Sequence, residues 1–221
     1  MIATIHRAAI IGGLLLVASS ALGQVPPKEP GPFRQPDLVE LVKLDPTIKL
    51  DIRYATKNNF LGRPVYKEAR AFLQRPAAEA LVRVHRALRT KGYGLLVFDG
   101  YRPWQVTKTL WVNTPNEKKM FVADPDIGSR HNRGCAVDLT LFDLKTGKAV
   151  VMPSEYDEMT ERSYADYTGS TPVATRMRGL LAAAMTAEGF LVFATEWWHY
   201  DYKDWREYGI QDLKFTEIPG K

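Results

Sequence analysis

The sequence predicts a single α+β domain with a central antiparallel sheet and helices packed against it. Three observations lead there. Strand-like and helix-like segments are mixed along the chain without a regular strand–helix–strand repeat. The 221 residues are 45% hydrophobic and 25% charged, ordinary for a globular protein and enough to bury a real core. Past the N-terminal region no second linker and no internal repeat divides the chain.

The first residues stand apart from that domain. Arg7 precedes an apolar run over residues 8–18, and Ala21 and Gly23 are small residues at the two positions a signal peptidase reads. Residues 1–23 are therefore expected to be a secretory signal cleaved before Gln24. The run is short for a membrane span, so no stable span is expected after cleavage; the competing reading is an uncleaved anchor. Residues 24–36 hold Pro26, Pro27, Pro30, Pro32 and Pro36 and read as an extended leader without its own core. The folded domain is expected over residues 37–221. One cysteine, Cys135, excludes an intramolecular disulfide, and export without disulfides fits a bacterial periplasm. The formal charge is +5, and removing Arg7 with the signal leaves about +4. The basic residues are scattered, with no basic run interleaved with aromatics, which gives nucleic-acid binding no support.

Each element follows from its pattern. Residues 48–54 alternate strictly, placing Ile48, Leu50, Ile52 and Tyr54 on one face of a half-buried strand. Residues 75–91 read as a helix with Pro76 early, Leu81, Val84 and Leu88 inward, and Gly92 just past its end. Residues 95–98 form a short apolar strand running into Asp99-Gly100-Tyr101-Arg102, and Pro103 opens a helix to about Val112. Residues 136–142 form a strand with Asp138 on the face of Ala136 and Thr140. Residues 176–188 form a helix with Met177, Leu180, Leu181 and Ala184 inward, and residues 190–193 a buried strand leading to Glu196.

Three segments carry chemistry: Asp99-Gly100-Tyr101-Arg102-Pro103, Ser129-Arg130-His131-Asn132-Arg133-Gly134-Cys135-Ala136-Val137-Asp138, and Glu196-Trp197-Trp198-His199. Together they offer two imidazoles, carboxylates and a guanidinium, the parts of a hydrolytic zinc site. Beyond the signal only His85, His131 and His199 are available. His85 lies on the long helix beside Leu81 and Val84 and reads as a packing or helix-surface residue. His131, Asp138 and His199 are then the candidate ligands of one Zn²⁺, with Glu196 as general base and Arg102 as oxyanion stabiliser. An acid inside an apolar strand is costly unless it is paired, so Asp138 is either a ligand or half of a structural salt bridge. Arg102 has a structural alternative too, a pair with Asp99. Glu196 and His199 would share a face on a helix but not on a regular strand, and the alternative for both is the polar edge of an aromatic core. The chain lacks His-Glu-x-x-His, which excludes the helical zincin arrangement.

With these residues the chain resembles the VanX-type D-alanyl-D-alanine dipeptidases, zinc enzymes related to the D-Ala-D-Ala carboxypeptidases. The resemblance runs from about Asp51 to Tyr202 and includes Asp51-Ile52-Arg53-Tyr54-Ala55-Thr56, Gly92-Tyr93-Gly94-Leu95-Leu96 and Asp157 through Arg162-Ser163. It implies the zinc D-Ala-D-Ala peptidase (hedgehog-like) fold, the same ligand set, Glu196 as base and Arg102 as transition-state stabiliser. It further implies that Asp157 receives the free α-ammonium of the dipeptide, with Tyr54 and Ser129 near the substrate. Cys135 departs from the family pattern and is expected to point away from Asp138 and be inert.

The activity expected from these readings is hydrolysis of D-Ala-D-Ala to two D-alanines in cell-wall turnover or recycling. Two alternatives stand beside it: a zinc D,D-carboxypeptidase trimming peptidoglycan stems, and a non-catalytic zinc-binding module. The last needs neither Glu196 nor Arg102.

Overall fold

The computed structural model describes residues 25–219. The expected signal, residues 1–23, lies outside the described residues. No helix among the described residues is long and apolar enough to cross a membrane.

The chain runs β1 (Leu38–Glu40), α1 (Leu41–Leu44), β2 (Lys49–Leu50), β3 (Phe72–Gln74), α2 (Arg75–Arg89), β4 (Tyr93–Asp99), α3 (Trp104–Val112), β5 (Ala136–Asp143), α4 (Pro172–Ala187), β6 (Phe190–Phe193) and β7 (Glu196–Tyr202). Strands β2, β4, β5, β7 and β6 lie in that order in one sheet, and β1 and β3 form a separate antiparallel pair. The α+β class holds. Within the large sheet all pairings are antiparallel except β2 with β4, which is parallel.

Helix α2 forms as its apolar period dictates. Leu81, Val84 and Leu88 are at most 1% exposed, and α2 packs on α1, α4 and β4. Burying each such side chain contributes roughly 1.5–3 kcal/mol. His85 is a packing residue: its Nδ1 accepts the Leu95 N–H at 3.0 Å, and Nε2 meets Thr47 Oγ1 at 2.9 Å. Burial holds its pKa below the ordinary value.

Three expectations differ from what is observed. The strand over residues 48–54 shrinks to Lys49–Leu50, and Arg53–Ala55 forms a 3₁₀ turn. The returning loop is the reason: Val65 and Tyr66 both donate their N–H to the Tyr54 carbonyl, at 2.8 and 2.9 Å, in place of a sheet partner. The inward residues are unchanged, and Ile48, Ile52 and Tyr54 are buried. Helix α4 starts four residues early, at Pro172, because the Thr171 side chain caps it by accepting the Ala174 N–H at 3.2 Å. Strand β6 is not buried throughout: it is the sheet edge, with Leu191 60% and Val192 37% exposed.

The register of the central strands positions the site. Asp138 on β5 lies opposite Asp99 on β4 and opposite His199 on β7, so three polar residues form a row across three adjacent strands. Gly100 ends β4 where a Cβ would stand 2.7 Å from the Phe72 carbonyl oxygen, so only glycine fits.

The core stripe of α2 carries the stability of this arrangement. Leu81→Ala is expected to destabilise the protein by about 2–5 kcal/mol in denaturant unfolding, against about 0.5 kcal/mol or less for the exposed edge change Leu191→Ser.

Candidate metal centre and its cavity

His131 sits on a single 3₁₀ turn, His131–Arg133, that enters β5. Gly134 ends the turn at φ 70°, a left-handed conformation that favours glycine, and a Cβ there would also stand 2.5 Å from Leu38 Cδ2. Asn132 ties the turn to the β4–α3 loop. Its Nδ2 donates to the Arg102 carbonyl at 2.8 Å, and its Oδ1 accepts the Ser129 N–H at 2.7 Å.

Three buried atoms converge. His131 Nε2 and His199 Nδ1 are 3.1 Å apart, and Asp138 Oδ1 lies 3.3 Å from the first and 3.1 Å from the second. The opposite ring nitrogens face acceptors: His131 Nδ1 meets the Gly100 carbonyl at 2.7 Å, and His199 Nε2 meets Asp201 Oδ1 at 2.9 Å. With a proton on each outer nitrogen, both rings can offer a lone pair inward to a metal ion. Burial resists charge on His199, yet hydrogen bonds to Asp138 and Asp201 outweigh it and push the imidazole up to about 10. The cluster thus draws in positive charge. Tetrahedral zinc with bonds of about 2.0–2.1 Å would set its ligand atoms about 3.3 Å apart, so the donor set fits that ion. Arg102 Nη2 also approaches Asp138 Oδ2 at 3.8 Å, the contact that a structural salt bridge would use.

Glu196 and His199 lie on the same strand yet both reach this cluster. The β6–β7 pairing explains how. Val192 pairs with Tyr200, but Phe193 pairs with Glu196, so residues 197–199 bulge with no β6 residue opposite. Glu196 Oε2 then comes within 3.7 Å of His199 Nδ1. Burial, reinforced by Asp138, outweighs the opposing pull of His199 and Arg102 and raises the Glu196 carboxyl to about 7.

Arg102 is paired with Asp99 and also lines the cavity. Its Nη2 and Nε stand 2.8 and 2.9 Å from Asp99 Oδ2, and its guanidinium lies 5.1 Å from the centre of the Tyr54 ring. Asp157 takes a left-handed backbone at φ 60°. Its Oδ1 accepts the Tyr54 hydroxyl at 3.2 Å, while its Oδ2 is buried without a hydrogen-bond partner. Burial, with Asp138 nearby, lifts the Asp157 carboxyl well above the ordinary range. Ser129 Oγ accepts the His131 N–H at 3.2 Å. Tyr54, Arg102, Ser129, His131, Asp138, Asp157, Glu196 and His199 all line one cavity of about 400 Å³. Cys135 is buried, stands outside the ligand cluster, and has its thiol pushed up to about 12 by burial.

Four supporting residues escaped the sequence reading: Asn132, Tyr66, Tyr156 and Asp201. Tyr66 donates to Asp99 Oδ1 at 2.8 Å, and Tyr156 donates to Asp138 Oδ2 at 2.9 Å. Asp201 had a signal, since two residues past His199 on a strand is the same face. Tyr66 and Tyr156 reach the site through tertiary contacts that no local pattern announces.

Comparison with known proteins gives the chain its relatives. A family model described as D-ala-D-ala dipeptidase matches residues 34–217. The D-alanyl-D-alanine dipeptidase of Escherichia coli (strain K12) is 37% identical over 180 residues, covering 81% of this chain and 92% of that protein. That of Enterococcus faecium is 35% identical over 178 residues, covering 71% and 87%. Among solved structures, the LdcB LD-carboxypeptidase aligns at 18% identity and a TM-score of 0.44, covering 87% of this chain and 83% of that one. With the family model spanning most of its length and relatives above 30% identity, the chain belongs to the D-ala-D-ala dipeptidase family of peptidases.

Proposed function

We propose that this protein is an exported zinc dipeptidase that hydrolyses D-Ala-D-Ala to two D-alanines in cell-wall turnover. The family and its relatives support the reaction. One observation carries it to this chain's own residues: a buried carboxylate oxygen of Asp157, without a partner, lines the same cavity as the three-donor cluster and Glu196. A free ammonium group satisfies that oxygen, and a dipeptide presents one next to its scissile bond. Export rests on the pattern of residues 1–23 alone.

His131, Asp138 and His199 would hold the metal. Zinc supplies Lewis acidity there, polarising the scissile carbonyl and lowering the pKa of water to ~7. Glu196 takes the proton from the attacking water and delivers it to the leaving amine nitrogen. Its raised pKa makes it a stronger base than an ordinary glutamate. Arg102, fixed by Asp99, presents a permanent cation to the developing oxyanion, an effect worth ~3–4 kcal/mol. Asp157, oriented by Tyr54, holds the substrate's ammonium group. Ser129 braces the His131 turn at the cavity wall.

The deciding experiment measures D-alanine release from D-Ala-D-Ala and from its N-acetylated form, with and without a chelator. The proposal expects the free dipeptide to be cleaved, the acetylated one to be poor, and chelation to abolish turnover. Efficient cleavage of the acetylated form would make the protein a carboxypeptidase. Asp157→Ala is expected to lower kcat/KM on the free dipeptide by about 10- to 100-fold with zinc content unchanged; a carboxypeptidase would be nearly indifferent to it.

Glu196→Gln is expected to lower kcat by about 10²–10⁴-fold while zinc stays bound. The base works only as a carboxylate, so wild-type activity is lost as pH falls through its pKa. A bound cation pulls that pKa down, placing the acidic limb of the pH–rate profile between the ordinary 4.5 and about 7.

A further inference from the structure

A dipeptide is charged at both ends, and the roles above account only for its ammonium. Three arginines line the cavity: Arg102, Arg130 and Arg133. Arg102 is committed to Asp99 beside the reacting centre. Arg133 is consumed by structure. Its Nη1 donates to the Tyr208 carbonyl at 2.6 Å, its Nη2 pairs with Glu29, and its side chain is 10% exposed.

Arg130 is different. Its side chain remains 34% exposed, and its Nη1 lies 2.9 Å from Asp201 Oδ2. The guanidinium rests 4.7 Å from the centre of the Trp205 ring and 5.5 Å from that of Phe193. Aromatic and ionic contacts therefore hold it before any ligand arrives, which lowers the entropy cost of using it. A guanidinium has five N–H donors, and a single carboxylate oxygen leaves most of them for another acceptor. Placement matters as well. Asp157 belongs to the wall built by Tyr54 and Arg102, whereas Arg130 belongs to the wall of Asp201, Phe193 and Trp205, reached through the outer nitrogen of His199.

We propose that Arg130 anchors the free C-terminal carboxylate of the dipeptide, so that the cavity recognises its substrate by both charged ends. The inference rests on the dipeptidase reading. It makes the substrate a zwitterion with two free termini and disfavours any peptide extended or capped at the C-terminal side. Arg130 also touches Asp201 and so acts indirectly on His199. The test must separate anchoring from that positioning role.

Initial rates on D-Ala-D-Ala and on its C-terminal amide, measured for wild type, Arg130→Met and Arg130→Lys, make the separation. A charged hydrogen-bonded contact predicts that wild type prefers the free acid over the amide by about 10- to 100-fold in kcat/KM. In Arg130→Met that preference should collapse to about twofold or less, mainly through a higher KM for the acid, and Arg130→Lys should restore part of it. Equal loss on acid and amide in Arg130→Met, with the preference intact, would show that Arg130 only positions His199 and would overturn the anchor. So would a wild type indifferent to amidation. A wild type inert on D-Ala-D-Ala with zinc bound would instead overturn the dipeptidase reading and the anchor with it. Thermal melts and zinc content of each variant identify one that has failed to fold, and the wild-type comparison of acid with amide decides independently of any variant.

Discussion

Two imidazole nitrogens and a carboxylate oxygen face one another at 3.1–3.3 Å. The arrangement persists because the Gly100 carbonyl, Asp201 and Tyr156 each fix one member from behind. Much of the surrounding structure serves this convergence. Gly100 is small so that β4 can end against Phe72, and only there does its carbonyl reach His131. The bulge in β7 brings Glu196 beside His199. The row Asp99, Asp138, His199 follows from strand register, and a slip of one residue in either pairing would turn the central carboxylate away.

The same row explains the electrostatics. Asp99 and Asp138 are buried carboxylates on neighbouring strands, which is costly unless cations stand near both. Arg102 stands near both, at 2.8 and 3.8 Å. Asp157 has no such ion pair, Glu196 has His199 at 3.7 Å, and burial pushes both carboxyls upward. Of these four carboxyl groups only Asp138 is held well below the ordinary range, where His131 and His199 outweigh burial, while burial raises Asp99, Asp157 and Glu196.

The sequence revealed which residues gather better than how the backbone brings them together. His131, Asp138 and His199 were legible because few histidines were available and because an acid in an apolar strand needs a reason. Helix α2 was legible because its apolar period is long and Gly92 closes it. The β7 bulge was not, since pairing register is decided between strands and leaves no trace in Glu196-Trp197-Trp198-His199 itself. The strand expected over residues 48–54 had the right inward residues and the wrong extent, because alternation reports which side is buried and not what accepts the hydrogen bonds. The Thr171-Pro172 cap was written in the chain but lies outside the apolar stripe used to find α4. Burial of all of β6 was inferred from its apolar run, yet a sheet must end somewhere, and it ends there.

The proline-rich segment has a part in this order that its composition conceals. Glu29 pairs with Arg133 and accepts the Ile210 N–H at 2.7 Å, a contact spanning 181 residues of chain. Arg133 lies two residues from His131, so the leader latches the turn that carries a candidate ligand. A chain that emerges N-terminus first cannot close both halves of this latch until Ile210 is out. The turn that carries His131 is therefore secured only when segments 181 residues apart have met, and a chain lacking the segment around Glu29 would keep Arg133 without its counterion beside the site.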